Sequence, residues 1–125
     1  MSINAGMMSS NSDTWETPPE FFKAYDHEFR FALDVCATSE NAKCKRYYTP
    51  EQDGLAQTWN GVCWMNPPYG RKIVQWVKKA YESAVAGATV VCLLPARTDT
   101  KWFQEYCLKS RDIRFIRGRL RFVGA

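Results

Sequence analysis

The run Gly61-Val-Cys-Trp-Met65 passes without a break into Asn66-Pro67-Pro68-Tyr69-Gly70. A short apolar run with no helical period reads as a buried strand. Two successive prolines remove backbone donors that further ladder pairing would need, so the chain must leave the sheet at Asn66. The end of a buried strand is where an open α/β sheet places its ligand chemistry.

The flanking segments repeat the pattern. Residues 72–86 carry Ile73, Trp76, Val77, Ala80, Tyr81 and Ala84 at three- and four-residue spacing, with Gly87 to close the helix. Residues 88–94 form a third apolar run ended by Pro95, and residues 99–108 read as a helix capped by Thr98 or Asp99. Upstream, a helix is predicted from Pro18, after the cap-like Thr17, and a first strand over residues 31–36, broken only by the carboxylate of Asp34. Residues 38–60 are polar connection with a short strand near 46–49. Strand and helix alternate, which predicts a three-layer α/β/α domain on a parallel sheet, with Asp34 and Asn66 at strand ends.

Bulk properties narrow the class. A chain of 125 residues suits one domain, here 14–125, behind a small, polar and flexible lead-in, 1–13, that lacks the pattern of a signal peptide. Seventeen basic against thirteen acidic residues give a net charge of +4, which suits an anionic partner. Five cysteines, Cys36, Cys44, Cys63, Cys92 and Cys107, with a single histidine and no Cys-x-x-Cys pair, argue against a disulfide framework or zinc site and for a reducing, cytoplasmic setting without a metal. No apolar run approaches the roughly 20 residues that cross a bilayer, so a soluble protein is expected.

Asn66 offers a side-chain carbonyl, and Pro67 a backbone carbonyl held by its fixed ring. Together they can grip both hydrogens of an amine whose lone pair is delocalised into a ring, and so favour the tetrahedral nitrogen of a transition state. Tyr69 supplies a flat surface for a base swung out of its stack, worth about 1–3 kcal/mol. An amide in place of a carboxylate provides no strong base, so the proton is expected to leave after transfer. Taken alone, the tetrapeptide reads equally well as a turn closing a strand.

Further segments carry a resemblance. With Trp15-Glu-Thr-Pro-Pro-Glu-Phe-Phe22, Leu33-Asp-Val-Cys-Ala37, Glu51-Gln-Asp-Gly-Leu55, the tetrapeptide and Leu94-Pro-Ala-Arg-Thr-Asp-Thr-Lys-Trp-Phe103, the chain resembles the phage-type Dam family of DNA adenine methyltransferases. The resemblance runs from about Asp13 to the last residue. It implies a Rossmann-like methyltransferase fold, S-adenosylmethionine as methyl donor, the N6 amine of adenine as acceptor, and a phage or prophage protein working in a bacterial cytoplasm. Asn66, Pro67, Pro68 and Tyr69 are then the catalytic loop, and Trp15, Thr17, Pro18, Asp34, Cys36 and Asp53 the cofactor contacts. A strand-end carboxylate suits the donor's ammonium, and Thr17 its carboxylate. Asp34-Val-Cys-Ala-Thr-Ser departs from methyltransferases at large in lacking a glycine-rich turn.

For DNA, two groups stand out. Arg97, Thr98 and Lys101 follow a strand end on the ligand side. Arg117, Arg119 and Arg121 recur at period two, hence on one face if extended, with Leu120 and Phe122 opposite. Transfer to a protein glutamine amide calls for the same acceptors, and a noncatalytic nucleic-acid-binding module is a further alternative; the basic segment favours DNA. Relatives are expected to continue into another strand, so the fold is expected to be minimal and truncated at its C-terminus with an open sheet edge. Monomer and weak dimer both remain open.

Overall fold

The computed structural model describes residues 2–4, 16–118, 120 and 122. Among the described residues six strands form one sheet: β1 (Ser2–Asn4), β2 (Leu33–Asp34), β3 (Arg46–Tyr47), β4 (Val62–Met65), β5 (Thr89–Leu94) and β6 (Ile113–Arg114). Their order is β3-β2-β4-β5-β1-β6 and every pairing is parallel. Three α-helices, α1 (Pro19–Phe29), α2 (Ile73–Val85) and α3 (Lys101–Glu105), complete the α/β pattern.

The four strands β3-β2-β4-β5 are the frame on which the rest depends. Cys63, Trp64 and Met65 of β4 and Val91 and Leu93 of β5 are almost wholly buried, as expected of central parallel strands. Register sets Asp34 opposite Trp64 and Met65 opposite Cys92, so the chain emerges from β2 and β4 side by side at one end of the sheet. From α1, Phe22 sets its ring edge on Trp64 at 5.2 Å, and Phe31 adds a second edge contact at 5.3 Å. The apolar stripe of α2 buries Ile73, Trp76, Val77 and Ala80, and Trp76 stacks on Trp59 at 5.9 Å. Among the described residues no helix is long and apolar enough to cross a membrane.

Several expectations need correction. Thr17 does not cap α1: Pro18 holds the N-cap position without a side-chain hydrogen bond, and the threonine hydroxyl is engaged elsewhere. The strand expected over residues 31–36 is reduced to Leu33–Asp34, because the Asp34 carboxylate draws the backbone N–H groups of Cys36 and Lys43 toward itself and turns the chain out of line. The last helix starts late, capped by Thr100, whose hydroxyl accepts from the Phe103 N–H at 3.3 Å, and tightens into a 3-10 turn at Cys107–Lys109. The basic segment is not one extended strand: only Ile113–Arg114 pairs, and the chain bends at Arg117 and Gly118, where φ is +73°. Finally, Ser2–Asn4, within the stretch read as a polar lead-in, is a strand that pairs with β5 and carries β6 on its far side, so β6 is the outermost described strand there. Strand donors and acceptors left beside β5 are met by this backbone.

Candidate active site

A cavity of about 360 Å³ opens where β2 and β4 end, and Thr17, Asp34, Cys36, Asp53, Asn66 and Pro68 all line it. These come from four separate stretches of chain, so only the fold assembles them. A larger groove, about 660 Å³, runs along α2 and β5. Its lining is mainly apolar and includes neither Asn66 nor Asp34, so the smaller cavity is the candidate site.

Asn66 is the first residue past β4, and its Nδ2 donates to the Thr17 hydroxyl at 3.0 Å. Thr17 is 2% exposed, so this bond is shielded and fixes the way the Asn66 amide faces. Pro67 is fully buried behind it. Tyr69, by contrast, does not line the cavity. Its hydroxyl donates to the Leu93 carbonyl at 3.3 Å, its ring stands edge-on to Phe122 at 6.3 Å, and burial pushes its pKa up. The expectation of an open stacking surface is not met in this arrangement, because the ring is packed inside. Arg97 donates to the Tyr69 carbonyl at 3.2 Å and so braces the loop from outside.

Asp34 closes β2 and is 2% exposed. Its Oδ1 accepts from the Cys36 N–H at 3.2 Å and its Oδ2 from the Lys43 N–H at 3.0 Å. Burial pushes its carboxyl up from 3.8 to about 6, against those two bonds and the Lys43 charge, which pull it down. Cys36 stays a neutral thiol, since burial and then the Asp34 charge push it up to about 12. Asp53 sits in the left-handed region at φ +53° and leads into the 3-10 turn Gly54–Ala56 on the cavity wall. Pro18 lies beside the site without lining it, and Trp15 falls outside the described residues.

Several contributors escaped sequence reasoning. Glu16 and Lys43 pair across the cavity at 3.3 Å, and Lys72 and Trp76 line it from the start of α2. Nothing local marks the ion pair, because its partners are 27 residues apart in a polar region. The basic residues assigned to DNA are less convergent. Arg97, Thr98, Lys101 and Arg117 are exposed, Lys101 pairing loosely with Glu105, whereas Arg119 and Arg121 lie outside the described residues. Arg71 and Lys72, directly after the Asn-Pro-Pro-Tyr-Gly stretch, are exposed as well. Among the described residues no group of three or more His, Cys, Asp or Glu side chains could hold a metal ion.

Fold and site define an α/β protein with a cavity at the carboxyl ends of a parallel sheet, next to an Asn-Pro-Pro-Tyr loop. The chain belongs to the DNA N-6-adenine-methyltransferase (Dam) family, whose model matches residues 4–125. It is 35% identical over 127 residues to the DNA N-6-adenine-methyltransferase of Haemophilus phage HP1, covering 98% of this chain and 73% of that protein. To the DNA N-6-adenine-methyltransferase of Escherichia phage T1 it is 34% identical over 111 residues, covering 86% of this chain and 46% of that one. No solved structure matches it.

Proposed function

We propose that this chain transfers a methyl group from S-adenosylmethionine to the N6 amine of adenine in DNA, on a Rossmann-like three-layer fold, with Asn66 and Pro67 as the acceptors that hold the amine. The observation that carries this reading is the Asn66 side chain, aimed by Thr17 at the rim of a cavity lined by Asp34. The donor set suits S-adenosylmethionine: Glu16, Asp34 and Lys43 offer both signs of charge for an amino-acid group, while Gly54, Leu55 and Trp76 offer flat apolar wall for an adenosine. When bound, the donor supplies an activated methyl on a positively charged sulfur.

The protein's part is alignment. The amine of adenine is a weak nucleophile because its lone pair is shared with the ring; two carbonyls accepting its hydrogens return density to nitrogen as the bond forms. No carboxylate stands in the Asn66 position, so the amine loses its proton only once it has been alkylated and become acidic. Base stacking on Tyr69 requires its ring, packed against Phe122 and hydrogen-bonded to the Leu93 carbonyl, to become exposed.

Asn66→Ala tests the assignment. Methyl transfer to adenine-containing duplex should fall by at least about 100-fold, while binding of the demethylated donor S-adenosylhomocysteine, read by calorimetry, stays within a few-fold of wild type. An Asn66→Ala protein that transfers at the wild-type rate would remove the loop from the chemistry.

A further inference from the structure

The cavity holds one charged feature that the transfer step does not use. Lys43 and Glu16 pair through Nζ and Oε2 at 3.3 Å, with the lysine side chain only 11% exposed and the glutamate 31%. Both residues line the cavity together with Asp34. Lysine is seldom held this far from water unless its charge is paired, and here Glu16 is the partner.

The loop that carries Lys43 is set before any ligand arrives. The Asn41 side chain accepts from the Thr38 N–H at 2.7 Å, the Thr38 hydroxyl accepts from the Asn41 N–H at 3.3 Å, and Asp34 takes the Lys43 N–H. Lys43 is therefore fixed at its backbone and at its tip. An ammonium has three donors, and only one is directed to Glu16; a carboxylate has about four acceptor sites, of which Asp34 gives two to backbone. The site thus offers a cation for a carboxylate and carboxylates for an ammonium, the two groups of an amino-acid zwitterion.

Resting on the donor reading above, we propose that Lys43 and Glu16 form the subsite for the amino-acid end of the methyl donor: Lys43 holds its carboxylate, and Glu16, with Asp34, its ammonium. This pair selects nucleosides that carry an α-amino acid over those that do not. Lys43 brings the carboxylate a full positive charge, whereas Thr17, whose oxygen accepts from Asn66, offers it only a neutral hydroxyl.

Two nucleosides separate this role from a structural strut. S-adenosylhomocysteine carries adenosine, thioether and amino acid; 5′-methylthioadenosine has the first two alone. Both are titrated calorimetrically into wild type, Lys43→Met, Lys43→Arg and Glu16→Gln. Expected is a loss of about tenfold or more in S-adenosylhomocysteine affinity for Lys43→Met, the worth of one charged hydrogen bond, with 5′-methylthioadenosine changed less than about twofold and Lys43→Arg largely restored. Glu16→Gln should follow Lys43→Met in the same selective sense. Equal losses for both nucleosides, or none for either, would overturn the assignment while leaving the donor reading standing. Wild type that binds neither nucleoside would overturn both.

Discussion

Asp34 serves two ends that pull its ionisation in opposite directions. Its carboxylate organises the loop over the cavity through the Cys36 and Lys43 N–H groups, yet its burial favours the neutral acid and raises its pKa from 3.8 to about 6. Because the folded value is the higher one, the folded chain keeps a proton that the unfolded chain has released. The stability this gives is fully present below pH 3.8 and is lost as pH rises through about 6. Denaturant titrations of wild type and Asp34→Asn across this window should show wild type losing, relative to the variant, up to about 3 kcal/mol as pH rises. Donor affinity should climb over the same range, since a cationic ammonium prefers the ionised acid. A stability difference that does not change with pH would contradict this. The residue was legible in the sequence because a carboxylate interrupting a buried strand has few places to go; its grip on Lys43 was not, because nothing in residues 38–60 has a period.

At the scale of elements, the wall of the site depends on how closely the 3-10 turn Gly54–Ala56 approaches β2. A Cβ at Gly54 would come within 2.2 Å of the Val35 carbonyl oxygen and 3.1 Å of the Trp76 ring. Trp59 locks the same turn by donating its indole N–H to the Gly54 carbonyl at 2.8 Å. Gly54→Ala is expected to cost about 1–3 kcal/mol, as overpacking of a dense interior does, and to weaken S-adenosylhomocysteine binding. Thermal melts and calorimetry on the same sample check both; an unchanged melting temperature would show that the turn has room to shift. The strands and α2 were readable because apolar runs between prolines and glycines leave little choice, and a helix with Ile73, Trp76, Val77 and Ala80 on one face has a single way to pack. The C-terminal segment was misread for a physical reason too: alternating arginines describe a strand face only while the backbone stays extended, and Gly118 takes it through positive φ. Arg114, three residues before that alternation, instead reaches Glu28 of α1 and lies over the Tyr25 and Phe29 rings.

For the whole molecule, the sheet order explains why residues far apart in sequence meet. Parallel β2 and β4 deliver Asp34 and Asn66 to the same end, and the stretch before α1 brings Thr17 and Glu16 over them, 49 and 27 residues from their respective partners Asn66 and Lys43. Such contacts are set by topology, so the sequence could mark the Asn-Pro-Pro-Tyr loop but not that Thr17 orients Asn66. A net charge of +4, with Arg71, Lys72, Arg97 and Lys101 exposed and Lys72 on the cavity wall, suits a polyanionic partner. The most direct measurement is product identity: duplex DNA incubated with S-adenosylmethionine bearing a labelled methyl, then digested to nucleosides and separated. All of the DNA label should run as N6-methyldeoxyadenosine. Label on a cytosine product, or recovered only in protein when a protein extract is offered beside the duplex, would contradict it.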